Sequence, residues 1–222
     1  MEEKGTGRLE AFSDGVFAVA ITLLILNIQA PTTPDSLTDS ALLDFFHRQW
    51  PTLIAFVTSF ATIGIMWINH HRLFTHIKRT DNNLLVFNLL LLLVIIFIPF
   101  PTALLAQQYA THPEMHAAAM LYSGTNVLLA IAFNLLWRYA SYKNRLLDPK
   151  ADFHSVQAIT RQYRFGPLLY LIVLAFAWLS ASVSVILILL LAVFYALPGR
   201  QLRTVPEKVE MKGDEGEEQK EG

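Results

Sequence analysis

Residues 8–28, RLEAFSDGVFAVAITLLILNI, decide how the chain folds, because a long apolar run begins just after a serine and an aspartate. The apolar run covers residues 16–26, whereas a helix needs roughly 20 residues to cross a hydrocarbon layer about 30 Å thick. We therefore predict that the helix begins near Leu9, which places Ser13 and Asp14 inside the membrane or just under its surface. A carboxylate at that depth usually faces protein or water and has a partner. The alternative is that Ser13 or Asp14 caps the helix.

The composition of the whole chain is that of an integral membrane protein. Of its 222 residues, 54% are hydrophobic and 16% are charged, whereas soluble domains contain about 25% charged residues. The apolar residues form blocks separated by short polar stretches, which leaves no room for a sizeable soluble domain. The chain has no cysteine, so disulfides, thiolate metal sites and a catalytic cysteine are excluded. No serine-nucleophile motif or phosphate loop is present either, and we do not expect an enzyme.

The apolar blocks predict an all-α protein with six transmembrane helices. The spans are expected at about 9–29, 50–71, 84–108, 117–139, 161–181 and 183–198, which together form one channel domain over residues 1–203. The apolar stretch 165–197 is too long for one span, and Ser180, Ser182 and Ser184 predict a tight turn within it. A single long span there would reduce the total to five. Residues 204–222 are charged and lack aromatic side chains, which predicts a disordered tail.

Two further stretches carry local predictions. Residues 35–47 are polar with a short apolar stripe, which predicts a separate interfacial or re-entrant helix before span two. Pro99 and Pro101 lie late in span three, and proline removes backbone donors there. We therefore expect a kink or a frayed end in that span.

Lysine and arginine are distributed unevenly between the two sides of this topology. With six spans, every basic residue except Arg48 lies on the side that holds the N-terminus, the loops after spans two and four, and the tail. Loops rich in these residues stay in the cytoplasm. Both termini are therefore predicted to be cytoplasmic in a multi-pass protein of the cell inner membrane. A five-span chain would move the basic residues of the tail to the other side, so the distribution favours six.

The predicted topology brings the start of span one close to the end of span two, near the cytoplasmic face. Asp14 has no oppositely charged partner at helical spacing within its own span. We therefore expect it to bind a neighbouring helix, with Trp67, Asn69 and His70 as the nearest candidates. The alternative is that His70 and His71 are ordinary interfacial residues.

A loose group of potential metal ligands follows in the same region, formed by His70, His71, His76 and Asp81. Two of the histidines are adjacent in sequence, basic residues lie close by, and no HExxH or His-x3-His pattern is present within this group. Zinc sites in proteins usually show such spacings. We therefore do not expect a metal site.

The apolar part of span one carries a stripe at helical spacing. Val19, Leu23 and Leu26 are separated by four and three residues, which keeps them on one helical face with Thr22 at its edge. In a symmetric oligomer such a face can form a hydrophobic constriction that closes a pore by dewetting. The alternative is a face that contacts lipid or packs against another helix.

Three motifs connect these observations. Span one begins with Arg8-x-x-x-Phe12-Ser13-Asp14, and span two ends with Trp67-x-x-His70-x-Arg72-Leu73-Phe74. Thr80-Asp81 then precedes a span that contains Phe97-x-Pro99. Over residues 8–105 the chain resembles the transmembrane protein 175 family of potassium channels in its bacterial six-span form. The later spans match mainly in number and hydrophobicity.

The resemblance implies a homotetramer in which the first span of each subunit lines a central pore. It implies apolar layers at Val19, Leu23 and Leu26 in place of the TVGYG filter of ordinary potassium channels, although the family usually has a larger first-layer residue than Val19. Thr22 falls at a polar ring that contributes to potassium preference. The signature motif and the inter-helix polar network correspond to Arg8, Phe12, Ser13, Asp14, Trp67, Asn69 and His70.

The sequence therefore predicts a leak-type channel that prefers potassium and is gated and filtered by the apolar layers of span one. Its expected partners are further copies of this chain and the lipid bilayer, without nucleic acid, and potassium ions permeate with no cofactor. One alternative is a membrane scaffold that conducts no ions. Another is a proton- or ion-coupled transporter that uses Asp14 and His70.

Overall fold

The computed structural model describes residues 5–29, 38–112 and 114–196. Within these ranges the fold is all-helical, as predicted. The eight helices are α1 (Gly7–Leu23), α2 (Asp39–His76), α3 (Asn82–Phe97), α4 (Pro99–Thr111), α5 (Ala117–Ser141), α6 (Phe153–Arg164), α7 (Gly166–Leu179) and α8 (Ala181–Ala196). Short 3-10 turns extend α1 over Leu24–Asn27 and α5 over Tyr142–Asn144. The predicted tail at 204–222 lies outside the described residues.

Five helical segments are long and apolar enough to cross a membrane, and a sixth is shorter. The five are Gly7–Asn27, Asp39–His76, Asn82–Thr111, Ala117–Asn144 and Phe153–Leu179. The sixth, Ala181–Ala196, has 16 residues, which gives a length of about 24 Å at 1.5 Å per residue. This is less than the roughly 30 Å of a typical hydrocarbon layer. The prediction of an all-α protein with several apolar helices is confirmed for the described part of the chain.

Helix α1 begins earlier than its apolar core. Thr6 is the residue at its N-cap and Gly7 is its first residue, so Ser13 and Asp14 lie in the second turn and neither of them caps the helix. The side chain of Leu9, in the first turn, is buried and joins the apolar core. The alternative interpretation of Ser13-Asp14 as a cap is therefore wrong.

Helix α2 is a single helix of 38 residues. It includes most of residues 35–47, for which the sequence predicted a separate helix, and it begins well before the expected start of span two near residue 50. The side chain of Thr38 caps it by accepting a hydrogen bond from the Ala41 N–H at 3.4 Å. Pro51 lies inside the helix without ending it. At about 57 Å, α2 is longer than a hydrocarbon layer is thick.

Span three is divided at the position that its prolines predicted. Helix α3 ends at Phe97 and α4 starts with Pro99 in its first turn, where the missing N–H of proline is tolerated. The carbonyl of Pro99 accepts a hydrogen bond from Asn27 Nδ2 at 3.3 Å. The break in span three therefore contacts the end of the first span.

Interhelical hydrogen bonds supplement apolar packing in the middle of the subunit. The Ser59 hydroxyl of α2 lies 2.7 Å from the Thr102 hydroxyl of α4 and 2.9 Å from the Tyr122 hydroxyl of α5. All three side chains are buried. Membrane helices use such bonds because a polar group in hydrocarbon otherwise has no partner.

The C-terminal helices pack against the rest of the bundle as a hairpin. Ser180, with extended backbone angles, is the one residue between α7 and α8, and it lies in the serine-rich stretch where the turn was predicted. Among the described residues, the contact between α5 and α7 is the most extensive between any two helices. Helix α8 lies against both α7 and α2. The buried apolar core includes side chains of these four helices and also of α1, α3 and α4.

One end of the bundle holds the start of α1, the end of α2, the start of α3 and the end of α5. There the Lys78 N–H donates to the Leu146 carbonyl at 3.0 Å, and the Asp148 N–H donates to the His76 carbonyl at 2.9 Å. The Tyr139 hydroxyl donates to Asp81 Oδ2 at 2.6 Å. These bonds join the two basic loops that the sequence assigned to one side of the membrane.

Candidate functional site

Helix α1 has a buried face and an exposed face. The buried face follows helical spacing and consists of Leu9, Ser13, Phe17, Ala20 and, in the 3-10 turn, Leu24. This face packs against α2 and α3. The opposite face is left uncovered by the rest of the subunit.

The predicted pore residues all lie on the exposed face. The exposed fractions are 50% for Val19, 37% for Leu23 and 70% for Leu26, values within the range of the outward-facing apolar side chains of the other spans. Thr22 is also exposed, and its hydroxyl donates to the Val19 carbonyl at 2.9 Å. The geometry of one subunit thus leaves this stripe available to a pore, a second subunit or lipid.

A buried chain of hydrogen bonds joins α1, α3 and α2. Asn88 Nδ2 of α3 donates to the Ser13 hydroxyl at 2.9 Å, and that hydroxyl donates to the Leu9 carbonyl at 2.8 Å. Asn88 Oδ1 lies 2.9 Å from His70 Nε2, so this ring nitrogen carries the hydrogen and donates it. Ser13, Asn88 and His70 are all at most 1% exposed. The side-chain amide of Asn88 is therefore the centre of these hydrogen bonds. Its nitrogen binds Ser13 and its oxygen binds His70.

Two aromatic rings hold the imidazole of His70 in place. Phe74, one turn further along α2, stacks on it with ring centroids 4.5 Å apart, and Phe17 of α1 lies at 5.4 Å in a tilted arrangement. The ring therefore has an apolar environment on its faces and one amide partner at Nε2. This arrangement fixes the relative positions of α1, α2 and α3.

Asp14 has a different partner, on the surface of the subunit. Its Oδ1 accepts a hydrogen bond from Trp67 Nε1 at 2.8 Å, and both side chains are exposed. Trp67 is one of the three residues that were predicted as partners of this carboxylate. Phe12 and Arg8 are exposed on the same helix, nearer its start.

The two other candidate partners of Asp14 have other contacts. His70 bonds to Asn88, as described above, and Asn69 Oδ1 accepts from an Arg72 guanidinium nitrogen at 3.4 Å. Asn69 is buried, and it faces the C-terminal helices rather than α1. The predicted network is thus divided into two parts. Ser13 and His70 belong to the buried hydrogen bonds through Asn88, whereas Asp14 and Trp67 form a pair at the surface.

Asn88 is the site residue that sequence reasoning missed. It is the only polar residue between Leu84 and Ile98, in the run LLVFNLLLLLVIIFI. An isolated amide within such a run usually faces the protein interior and has a partner on another helix. That rule, applied to span three as it was to span one, would have found it.

The histidines do not form a metal site in the part of the chain that the structure describes. Over those residues no group of three or more histidine, cysteine, aspartate or glutamate side chains is placed so that it can hold a metal ion. His70 faces an amide and two phenyl rings, and Asp81 caps α3 by accepting from the Leu84 N–H at 2.8 Å.

We expect substitution of Trp67 by phenylalanine to lower the stability of the purified protein by about 1 kcal/mol, because it removes one hydrogen bond to a charged acceptor while keeping an aromatic ring. The melting temperature in detergent measures this effect. Trp178→Phe is the matched control, since Trp178 is also exposed at the surface of a span. Equal melting temperatures for the two variants would show that the Trp67–Asp14 bond contributes nothing to stability.

Comparisons with known proteins agree with the motifs of the first three spans. A family model described as "Endosomal/lysosomal potassium channel TMEM175" matches residues 8–99. A protein of Chamaesiphon minutus named as a potassium channel is 50% identical over 196 residues, which is 88% of this chain and 96% of that protein. A potassium channel of Streptomyces collinus is 40% identical over 86% of this chain and 91% of its own length.

A solved structure extends the similarity to three dimensions. The crystal structure of a lysosomal potassium-selective channel TMEM175 homologue from Chamaesiphon minutus matches with a TM-score of 0.76 and 46% identity. The match covers 86% of this chain and 96% of that one, whereas the family model stops at residue 99. The chain belongs to the TMEM175 family.

Proposed function

We propose that this chain is a potassium-preferring cation channel of the leak type. The observation that carries the proposal is its similarity, over nearly its whole length, to bacterial proteins named as potassium channels. The exposed apolar stripe on α1 supports it, because a channel of this design needs one helical face of each subunit free of intrasubunit contacts.

The proposed assembly is a homotetramer with α1 of each subunit around a central axis. The position of Asp14 favours subunit contact over lipid contact on this side of the molecule. A carboxylate at this depth requires protein or water beside it, yet Asp14 is exposed in the single chain and has an indole as its partner. An adjacent subunit would cover Asp14 and Trp67 together.

In this assembly each pore layer consists of four copies of one α1 side chain. Val19, Leu23 and Leu26 form the apolar layers, which stop ions when they are dry and pass them when the constriction widens and hydrates. Thr22 contributes a polar ring between the layers and favours potassium. Potassium ions are the permeating species, and the proposed mechanism uses neither catalysis nor a cofactor.

The proposed location is the cell inner membrane with both termini in the cytoplasm, because the basic loops that follow α2 and α5 lie at one end of the bundle. The bonds between the loops that follow α2 and α5 support a shared end. Lipid surrounds the assembled channel, and the remaining protein contacts are between copies of this chain.

Potassium release from vesicles tests the proposal against its two rivals. The purified full-length protein is reconstituted into vesicles loaded with KCl and diluted into a sodium medium. A channel releases potassium and creates an inside-negative potential without a proton gradient. A transporter that uses Asp14 and His70 requires a coupled proton or ion flux, and a scaffold gives no more release than empty vesicles. Either of the last two results contradicts the proposed function.

A further inference from the structure

A second polar cluster lies inside each subunit, away from α1. Tyr163 of α6, Tyr170 of α7 and Tyr195 of α8 are all buried. The ring centroid of Tyr195 lies 6.1 Å from that of Tyr163 and 6.3 Å from that of Tyr170, with nearly parallel planes. Together with Asn69 of α2, these side chains line a cavity of about 20 Å³.

Four polar atoms of these residues have no hydrogen-bond partner among the described residues. They are the hydroxyl groups of the three tyrosines and Nδ2 of Asn69. The other end of the Asn69 amide is already used, because Oδ1 accepts from Arg72. Buried polar groups nearly always have partners, and one without a partner destabilises the fold. Four such atoms around one cavity indicate a partner that they share.

We propose that the cavity binds one ordered water molecule that bridges these groups. A buried water needs roughly 10–15 Å³ and two to four polar partners; the cavity has about 20 Å³, and four of the residues that line it carry an unpartnered polar atom. The Asn69 amide donates, and each hydroxyl can donate or accept, so one water can use its two donors and two acceptors. No charged side chain lines the cavity, which favours neutral water over an ion.

Gly166 keeps space for the water at the start of α7. A Cβ atom at this position would lie 3.1 Å from the Tyr195 hydroxyl oxygen, so a larger residue would push that hydroxyl away. The water would connect α2 with the three C-terminal helices by polar contacts as well as by packing. Since α2 also carries Trp67 and His70, it would connect the C-terminal helices with the helix that positions α1.

Substitution of the tyrosines by phenylalanine tests the proposal, because phenylalanine keeps the ring and removes only the hydroxyl. We expect Tyr170→Phe and Tyr195→Phe each to lower the melting temperature of the purified full-length protein by about 2–4 °C. The double variant should lose less than the sum, because both hydroxyls bind the same water. Tyr142→Phe, at an exposed position, is the control and should melt with the parent protein.

Unchanged or higher melting temperatures for Tyr170→Phe and Tyr195→Phe would overturn the proposal, because the removal of a hydroxyl that has no partner does not destabilise a protein. A density map of the full-length protein provides an independent measurement. We expect a peak at hydrogen-bond distance from Asn69 Nδ2 and from at least two of the hydroxyl oxygens. A map that shows other buried waters but no peak in this cavity would also overturn it.

Discussion

Replacing Asn88 by leucine is expected to lower the stability of the folded protein by roughly 2–4 kcal/mol. The substitution keeps the branched shape of the side chain but removes the partner of the buried His70 Nε2–H. A buried polar group left without a partner costs about 1–3 kcal/mol. The Ser13 hydroxyl loses one bond but still donates to the Leu9 carbonyl, and hydrogen bonds between membrane helices average only about 0.6 kcal/mol, so this second loss adds less than the first. Thermal unfolding and the yield of intact oligomer measure the effect.

Asn126→Leu is a matched control for this prediction. Asn126 is also buried in a span, but its Nδ2 donates to the Tyr122 carbonyl of its own helix rather than to another helix. If Asn88→Leu and Asn126→Leu unfold at the same temperature, the chain of bonds through Asn88 does not stabilise the packing of α1, α2 and α3. Ser13→Ala combined with Asn88→Leu should add little to Asn88→Leu alone, because the two residues share one bond.

Replacing Leu23 by alanine is expected to raise the potassium current several-fold and to weaken the preference for potassium over sodium. In the proposed tetramer this change removes four bulky apolar side chains from one layer, which makes the constriction wider and easier to hydrate. The measurement is the single-channel current and the reversal potential of the purified variant in planar bilayers. An unchanged current would show that Leu23 does not contribute to the constriction.

Ile25→Ala is the control for the Leu23 substitution. Ile25 is also exposed, in the 3-10 turn that extends α1, but it lies on a different side of the helix from the stripe of Val19, Leu23 and Leu26. We expect its current and reversal potential to match those of the parent channel. If Ile25→Ala raised the current as much as Leu23→Ala, general loosening of α1 would explain both results.

The number and approximate positions of the apolar helices could be predicted from the sequence, because a membrane span requires a long run of apolar residues. The sequence was less informative about how far the helices extend beyond the membrane, and α2 shows why. Residues 39–49 are too polar to count as part of a span, yet they continue the same helix, since helical backbone geometry does not depend on which solvent surrounds it. The Ser180 turn was easier to locate, because an apolar stretch too long for one span must turn at its most polar point.

The candidate site was only partly predictable for a related reason. Shared depth and the need of a carboxylate for a donor placed Trp67 among three candidate partners of Asp14, but they did not separate it from Asn69 and His70. The bond between His70 and Asn88 could not be predicted in this way, because it depends on how α3 is rotated about its axis, and span three is apolar on nearly all sides. Its buried face runs through Leu84, Asn88, Leu91 and Ile95, and Asn88 alone distinguishes this face from the others in sequence.

The most direct test of the proposed function is the reversal potential of the purified full-length protein in a planar bilayer with KCl on one side and NaCl on the other. We predict discrete currents that reverse close to the potassium equilibrium potential. Currents that reverse near zero would contradict potassium preference. Silence from verified tetramers, at both signs of voltage and several pH values, would contradict the assignment as a leak channel.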